Sequence, residues 1–141
     1  MNYGIDDKVK KSSSFIIADG IDIGSLLLAY EQLHDAVGTA KTDLEKAGAI
    51  QYFEFTFELC WKMLKRILQA RGKILNSPKP VFREAAAEGL IDDPEAWFGF
   101  IEDRNETVHN YDKNNANKIF SHLGDFDREA GKLVSMLKKM K

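Results

Sequence analysis

Apolar positions recur along most of this chain with the period of helices. Behind Ser25, which suits an N-cap, Leu26, Tyr30, Leu33, Val37 and Leu44 fall at helical steps and predict a first helix over about 25–46. A second helix, over about 48–71, is apolar around most of its girth. Phe53, Phe57, Cys60, Trp61, Leu64, Ile67 and Leu68 form one face, and Phe55, Leu59 and Met63 form another. Only Glu54, Glu58, Lys62, Lys65 and Gln69 make a polar seam, in which Glu58 and Lys62 stand in favourable i,i+4 order. Such a helix needs cover on two sides; in a small bundle the core can supply one and a subunit interface the other. Gly72 then suits a C-cap.

The pattern continues past a proline-rich loop at 76–80. Val81, Phe82, Ala85, Ala86 and Leu90 predict a short third helix that stops around Gly89. Asp93-Pro94-Glu95 reads as a helix start, with a capping acid, a proline in the first turn and an acid favoured by the helix dipole. Trp97, Ile101 and Val108 are the apolar line of this fourth helix. From about 114 to 140, Ile119, Leu123, Phe126, Ala130, Leu133, Leu137 and Met140 alternate steps of four and three, a heptad seam for packing along a bundle. No strand alternation and no internal repeat is visible. The expected fold is all-α, an antiparallel up-and-down four-helix bundle with an extra short helix, over residues 25–141. Residues 1–24 lack a helical period, carry Ser12-Ser13-Ser14 and read as a flexible N-terminal arm.

Composition narrows the function classes. A chain of 141 residues with 44% hydrophobic and 30% charged residues is that of an ordinary soluble single domain. The net charge of −2 gives no global field for nucleic acid, so RNA binding requires a local patch or a dimer groove. Cys60 is the only cysteine and, on an apolar helix face, reads as a buried inert thiol. No apolar run approaches the roughly 20 residues that span a bilayer. Lys8, Lys10 and Lys11 precede Phe15-Ile16-Ile17, a run too short for a signal-peptide core. The expected location is cytoplasmic.

The chemistry concentrates at the end of the fourth helix, where Arg104, His109 and Tyr111 read R-x4-H-x-Y. A histidine gives and takes protons near neutral pH, an arginine fork suits phosphate oxygens, and a phenol donates a hydrogen bond or accepts a transferred group. Together they suit phosphate-ester chemistry. On one ideal helix His109 lies roughly 140° round the axis from Arg104. They converge only if the helix ends near Val108, where Asn110 and Asp112 favour a turn, or if two subunits share one pocket across a two-fold axis. A structural reading stands beside this one: Arg104 paired with Asp103, Glu106 or an acid on another helix, His109 at a helix C-terminus, and Tyr111 at the core edge. His34, His109 and His122 show no zinc-ligand spacing, and there is no P-loop or G-x-G-x-x-G, so neither metal nor cofactor is expected. Asp125 and Asp127 read as solvated surface of the last helix.

Longer segments carry a resemblance. Residues 53–62, 81–85 and 89–93, Glu95-Ala96-Trp97, Asp103-Arg104-Asn105 and His109-Asn110-Tyr111-Asp112 resemble the nucleotidyltransferase substrate-binding protein family. That family lies within the HEPN superfamily of helical bundles and is similar to the HepT toxins. The likeness spans roughly residues 26–140. It implies a homodimeric bundle that partners a minimal nucleotidyltransferase encoded nearby, as a component of a toxin-antitoxin module. It implies Arg104 and His109 as catalytic residues of a metal-independent ribonuclease; in that reading the neighbouring Asn105 and Asn110 are the expected supporting residues that position the chain. Tyr111 would be the tyrosine to which the transferase attaches AMP, silencing the toxin. An older view of the family is that the bundle binds the transferase's substrate. Tyr52 stands where a basic residue is expected, and Cys60 where a small one is.

Overall fold

Five α-helices, α1 (Gly24–Thr39), α2 (Asp43–Ala70), α3 (Pro78–Ala87), α4 (Pro94–Glu106) and α5 (Lys113–Lys138), make up the computed structural model, which describes residues 13–141. The long helices α1, α2, α4 and α5 are the four members of an antiparallel up-and-down bundle, and α3 is the extra short helix. In that bundle α2 is central, packing against α1, α3, α4 and α5, while α5 also packs on α1 and α4.

The core is aromatic where α2, α3, α4 and α5 meet. Phe53 stands edge-on to Phe126 at 4.8 Å, and Trp97 stacks on Phe82 at 4.8 Å and meets Phe126 edge-on at 5.8 Å. Fully buried rings of this size dominate core energetics, and their offset and edge geometries add to the area they remove from water. The heptad seam of α5 is buried at Ile119, Leu123, Phe126, Ala130, Leu133 and Leu137, as the spacing predicts. On α2 the first face is buried at Phe53, Phe57, Cys60, Leu64, Ile67 and Leu68. Burial pushes the Cys60 thiol pKa up, which makes it an inert core residue.

Several ends fall where the residues foretell them. Asp93 caps α4 by accepting from the Ala96 amide at 3.1 Å. Past α2 and α3 the chain turns through Gly72 and Gly89 at φ +87° and +78°, with 2.9 Å bonds from Lys73 N to Leu68 O and from Leu90 N to Ala85 O. The first two helices divide differently from expectation. The predicted helix over 25–46 stops at Thr39, and α2 begins at Asp43. Thr42 and Glu45 form a capping box there: the Thr42 hydroxyl accepts from Glu45 N at 3.1 Å, and Glu45 accepts from Thr42 N at 2.9 Å. Leu44, counted among the apolar line of the first helix, is instead 84% exposed in the first turn of α2. Ser25 lies inside α1, whose N-cap is Ile23 without a side-chain cap bond, while Asp22, one residue earlier, accepts from the Gly24 amide at 2.9 Å.

Of the segment expected as an arm, residues 1–12 lie outside the described residues. Ile17, Ile21 and Ile23 are buried in the core, and Asp22 also accepts from Phe15 N at 3.0 Å. These backbone donors hold the Asp22 carboxyl below its ordinary range. Ile17 and Ile21 flank a tight turn at Ala18–Gly20 and Asp22 separates Ile21 from Ile23, a pattern without helical period that nevertheless buries three isoleucines. Another correction concerns Asp127. It is not solvated surface: both its oxygens meet His34 Nδ1, at 3.0 and 2.9 Å, tying α5 to α1. Asp125 is exposed and pairs with Arg128 at 3.1 Å.

Candidate functional site at the end of the fourth helix

The site begins where α4 loses its α-helical bonding. Thr107–His109 continues as a single 3-10 turn, and the Asp112 amide closes on His109 O at 3.0 Å before α5 starts. Asp112 caps α5 through the Asn114 amide at 2.9 Å. Asn115 Nδ2 donates to Glu106 O at 2.9 Å, fastening the first turn of α5 to the end of α4. The turn formers Asn110 and Asp112 thus act as the sequence suggests, and they present His109 and Tyr111 outward.

Arg104 turns the other way, onto the polar seam of α2. Its Nη2 donates to Glu58 Oε1, and both side chains are partly buried. Glu58 Oε2 accepts from Trp61 Nε1 at 3.2 Å and lies 3.5 Å from Lys62 Nζ. One turn earlier on α2, Glu54 Oε2 lies 3.1 Å from the Thr107 hydroxyl, which also lies 2.7 Å from Arg104 O. Glu54, Glu58 and Trp61 are the site neighbours that sequence reasoning passed over. The signal was present as a narrow charged seam on a helix apolar elsewhere. Its partner was hidden because Glu58 and Arg104 are 46 residues apart.

His109 is exposed and meets Tyr111 edge-on, with ring centroids 6.1 Å apart. Tyr111 is 85% exposed, not a core-edge residue. Asn110 is half-buried, and its Oδ1 is buried without a hydrogen-bond partner among the described residues. Asn105 is exposed and lines a different feature. This is an open cleft of about 690 Å³ between α4 and α5, also lined by Asp103 and His122, whose Nδ1 meets Asp103 Oδ1 at 3.0 Å. Among the described residues no hydrogen bond, ion pair or ring contact joins Arg104 to His109. Within one chain the two face different neighbours even though α4 ends at Glu106, before Val108, so the end of the helix does not by itself bring them together. No group of three or more metal-ligating side chains occurs among the described residues, and no described helix is long and apolar enough to cross a membrane.

The surface around the site is apolar in places. Val108 is 72% exposed and Phe55 53%. Phe55 and Leu59, from the second apolar face predicted for α2, line an open groove with Leu28 and Ala29 of α1, and Glu58 also lines it. The third residue of that face, Met63, is buried.

Residues 22–139 match the family described as nucleotidyltransferase substrate binding protein like, which covers all five helices and the R-x4-H-x-Y segment. The chain belongs to this family. Over 100 residues it is 38% identical to the probable ribonuclease HepT of Haemophilus influenzae, covering 66% of this chain and 67% of that protein. A solved structure from Haemophilus influenzae, described as revealing the fold of a substrate binding domain of a nucleotidyltransferase, is similar with a TM-score of 0.73. It shares 32% identity and covers 80% of this chain and 96% of its own. A crystal structure from Thermus thermophilus is similar with a TM-score of 0.75 at 34% identity, covering 79% of this chain and 98% of that one. The chain is therefore a HepT-like member of the substrate-binding family, with the helical fold of its relatives.

Proposed function

We propose that this protein is the partner subunit of a minimal nucleotidyltransferase, within a toxin-antitoxin module of the cytoplasm, and that Tyr111 is the residue the transferase modifies. The observation that carries this reading is the exposure of Tyr111, 85%, on a turn fixed at both ends by α4 and α5. An acceptor must reach a second protein's active site, and a phenol packed at the core edge could not. The phenolic oxygen would attack the α-phosphate of ATP, pyrophosphate would leave, and the phenolic proton would pass to solvent or a base on the transferase. Co-expression with the neighbouring transferase and affinity capture of one partner tests the association. Co-elution in fixed ratio is expected, and separate elution of two soluble proteins would contradict it.

A second reading is favoured by Arg104 and His109 themselves and by the relative named as a probable ribonuclease. Here two copies of the chain form a homodimer across α2 and the end of α4, so that Arg104 and His109 of both copies line one groove for RNA. The exposed apolar residues Phe55 and Val108 support that interface, since patches of this kind beside a functional site mark association surfaces. His109 would take the proton of a ribose 2′-hydroxyl as that oxygen attacks phosphorus. The bond to the 5′ oxygen breaks, and a proton delivered through the same imidazole ends on that leaving oxygen. Arg104 would stabilise the charge growing on the phosphoryl oxygens. Asn105 and Asn110 would support the strand and the turn. Cleavage that persists in chelator and is lost by a factor of at least about a hundred in both Arg104→Ala and His109→Ala is expected. Equal cleavage by wild type and His109→Ala would overturn this reading.

A further inference from the structure

The pairing of Arg104 with α2 is more than a surface ion pair. Arg104 offers five N–H donors, and a single nitrogen, Nη2, is engaged by Glu58. The carboxylate is itself held on both oxygens, Oε1 by the guanidinium and Oε2 by the Trp61 indole at 3.2 Å, with the Lys62 ammonium 3.5 Å away. A carboxylate fixed in this way fixes the plane of the guanidinium, because the bond is directional and both partners are partly buried. The remaining edge of the fork stays available to a second anion. Neutralisation matters as well: an unpaired Arg104 would draw the many phosphates of an RNA in any register, whereas one already half-neutralised binds weakly and only where its free edge fits.

We propose that Glu58 is a positioning residue, which with Trp61 sets the orientation of Arg104 for an RNA phosphate in its transition state. This rests on the ribonuclease reading of the site. Glu58 does not touch substrate; it acts through Arg104, and its loss should lower turnover rather than binding. A misplaced catalytic group costs between about tenfold and a hundredfold in rate. Glu58→Gln, which keeps size and loses charge, should therefore reduce kcat by that factor while KM stays level or falls. Freeing Arg104 from its carboxylate adds a cation to the RNA-binding face. The plot of log Kd against log salt for Glu58→Gln should steepen by about one phosphate contact relative to wild type. Trp61→Phe removes the indole N–H that holds Oε2, together with the five-membered ring that carries it, and should shift kcat in the same direction by a smaller factor.

The experiment measures kcat, KM and the salt dependence of RNA binding for the full chain, its Glu58→Gln and Trp61→Phe variants, and Arg104→Ala. The thermal midpoint of each variant is recorded, and Trp61→Phe carries the test where Glu58→Gln does not fold. Reduced kcat with level KM and a steeper salt slope is the expected result. Wild-type kcat and slope in a folded Glu58→Gln or Trp61→Phe overturns the positioning role alone. Wild-type protein that neither cleaves RNA nor binds it better than Arg104→Ala overturns the ribonuclease reading, and this inference with it.

Discussion

Single residues hold this bundle together at points the helical period does not reveal. His34 and Asp127 are 93 positions apart, yet their contact joins α1 to α5. The Asp127 hydrogen bond, then its charge, raises the His34 pKa above its ordinary 6.5. A histidine whose pKa is raised on folding adds stability that is full below the unfolded value, near 6.5, and is lost as pH climbs through the higher folded value. Because His34 is exposed, the increment is small. Titration of the imidazole by NMR should give a pKa above that of an unfolded chain in wild type and a value near it in Asp127→Asn; equal values in the two would contradict the contact. Tyr30 stacks on His34 at 5.8 Å, and burial, followed by the Asp127 charge, raises its phenol pKa to about 12. Asp127 was illegible as a partner in the sequence because nothing local distinguishes a solvated helical acid from one that reaches a histidine on another helix. Arg104 and Glu58 present the same difficulty, whereas the exposed turn that carries Tyr111 was foretold by Asn110 and Asp112.

At the scale of elements, α2 and α5 were the most legible, because each carries a long apolar pattern over seven turns or so that only a buried helix satisfies. The boundary between α1 and α2 was not. Helical phase runs on across 40–42, so periodicity alone merges the two, and the capping box Thr42-x-x-Glu45 that divides them is a four-residue signal inside a long one. Thr42→Ala should cost about 1 kcal/mol of stability, measured by urea denaturation. The Glu45 pKa is lowered by the Thr42 and Lys41 amides, so its contribution is present above the ordinary carboxylate value and fades as pH falls through the lower folded one. A Thr42→Ala protein as stable as wild type at pH 7 would show that the break is set by packing instead. Lys132 ties α5 to the loop before α4, meeting Asp92 at 3.0 Å and the buried Glu129 at 3.1 Å, and these acids raise its pKa. The 15–23 segment carries no helical period, since Ile17, Ile21 and Ile23 are buried around a turn with no repeat long enough to count.

The whole molecule is a bundle whose candidate site residues lie on the outside, between an exposed tyrosine and a helix seam. In the second reading Arg104 and His109 act across a dimer, so sedimentation at micromolar concentration should find two chains together, and Phe55→Asp should separate them; a wild-type monomer would contradict the shared groove. In the first reading the turn after α4 is itself the substrate of a transferase. Intact mass after incubation with the proposed nucleotidyltransferase partner and ATP tests it most directly. The mass of added AMP is expected on wild type and none on Tyr111→Phe, with both proteins folded. Unmodified wild type in the presence of a transferase that consumes ATP, or equal modification of Tyr111→Phe, would contradict it.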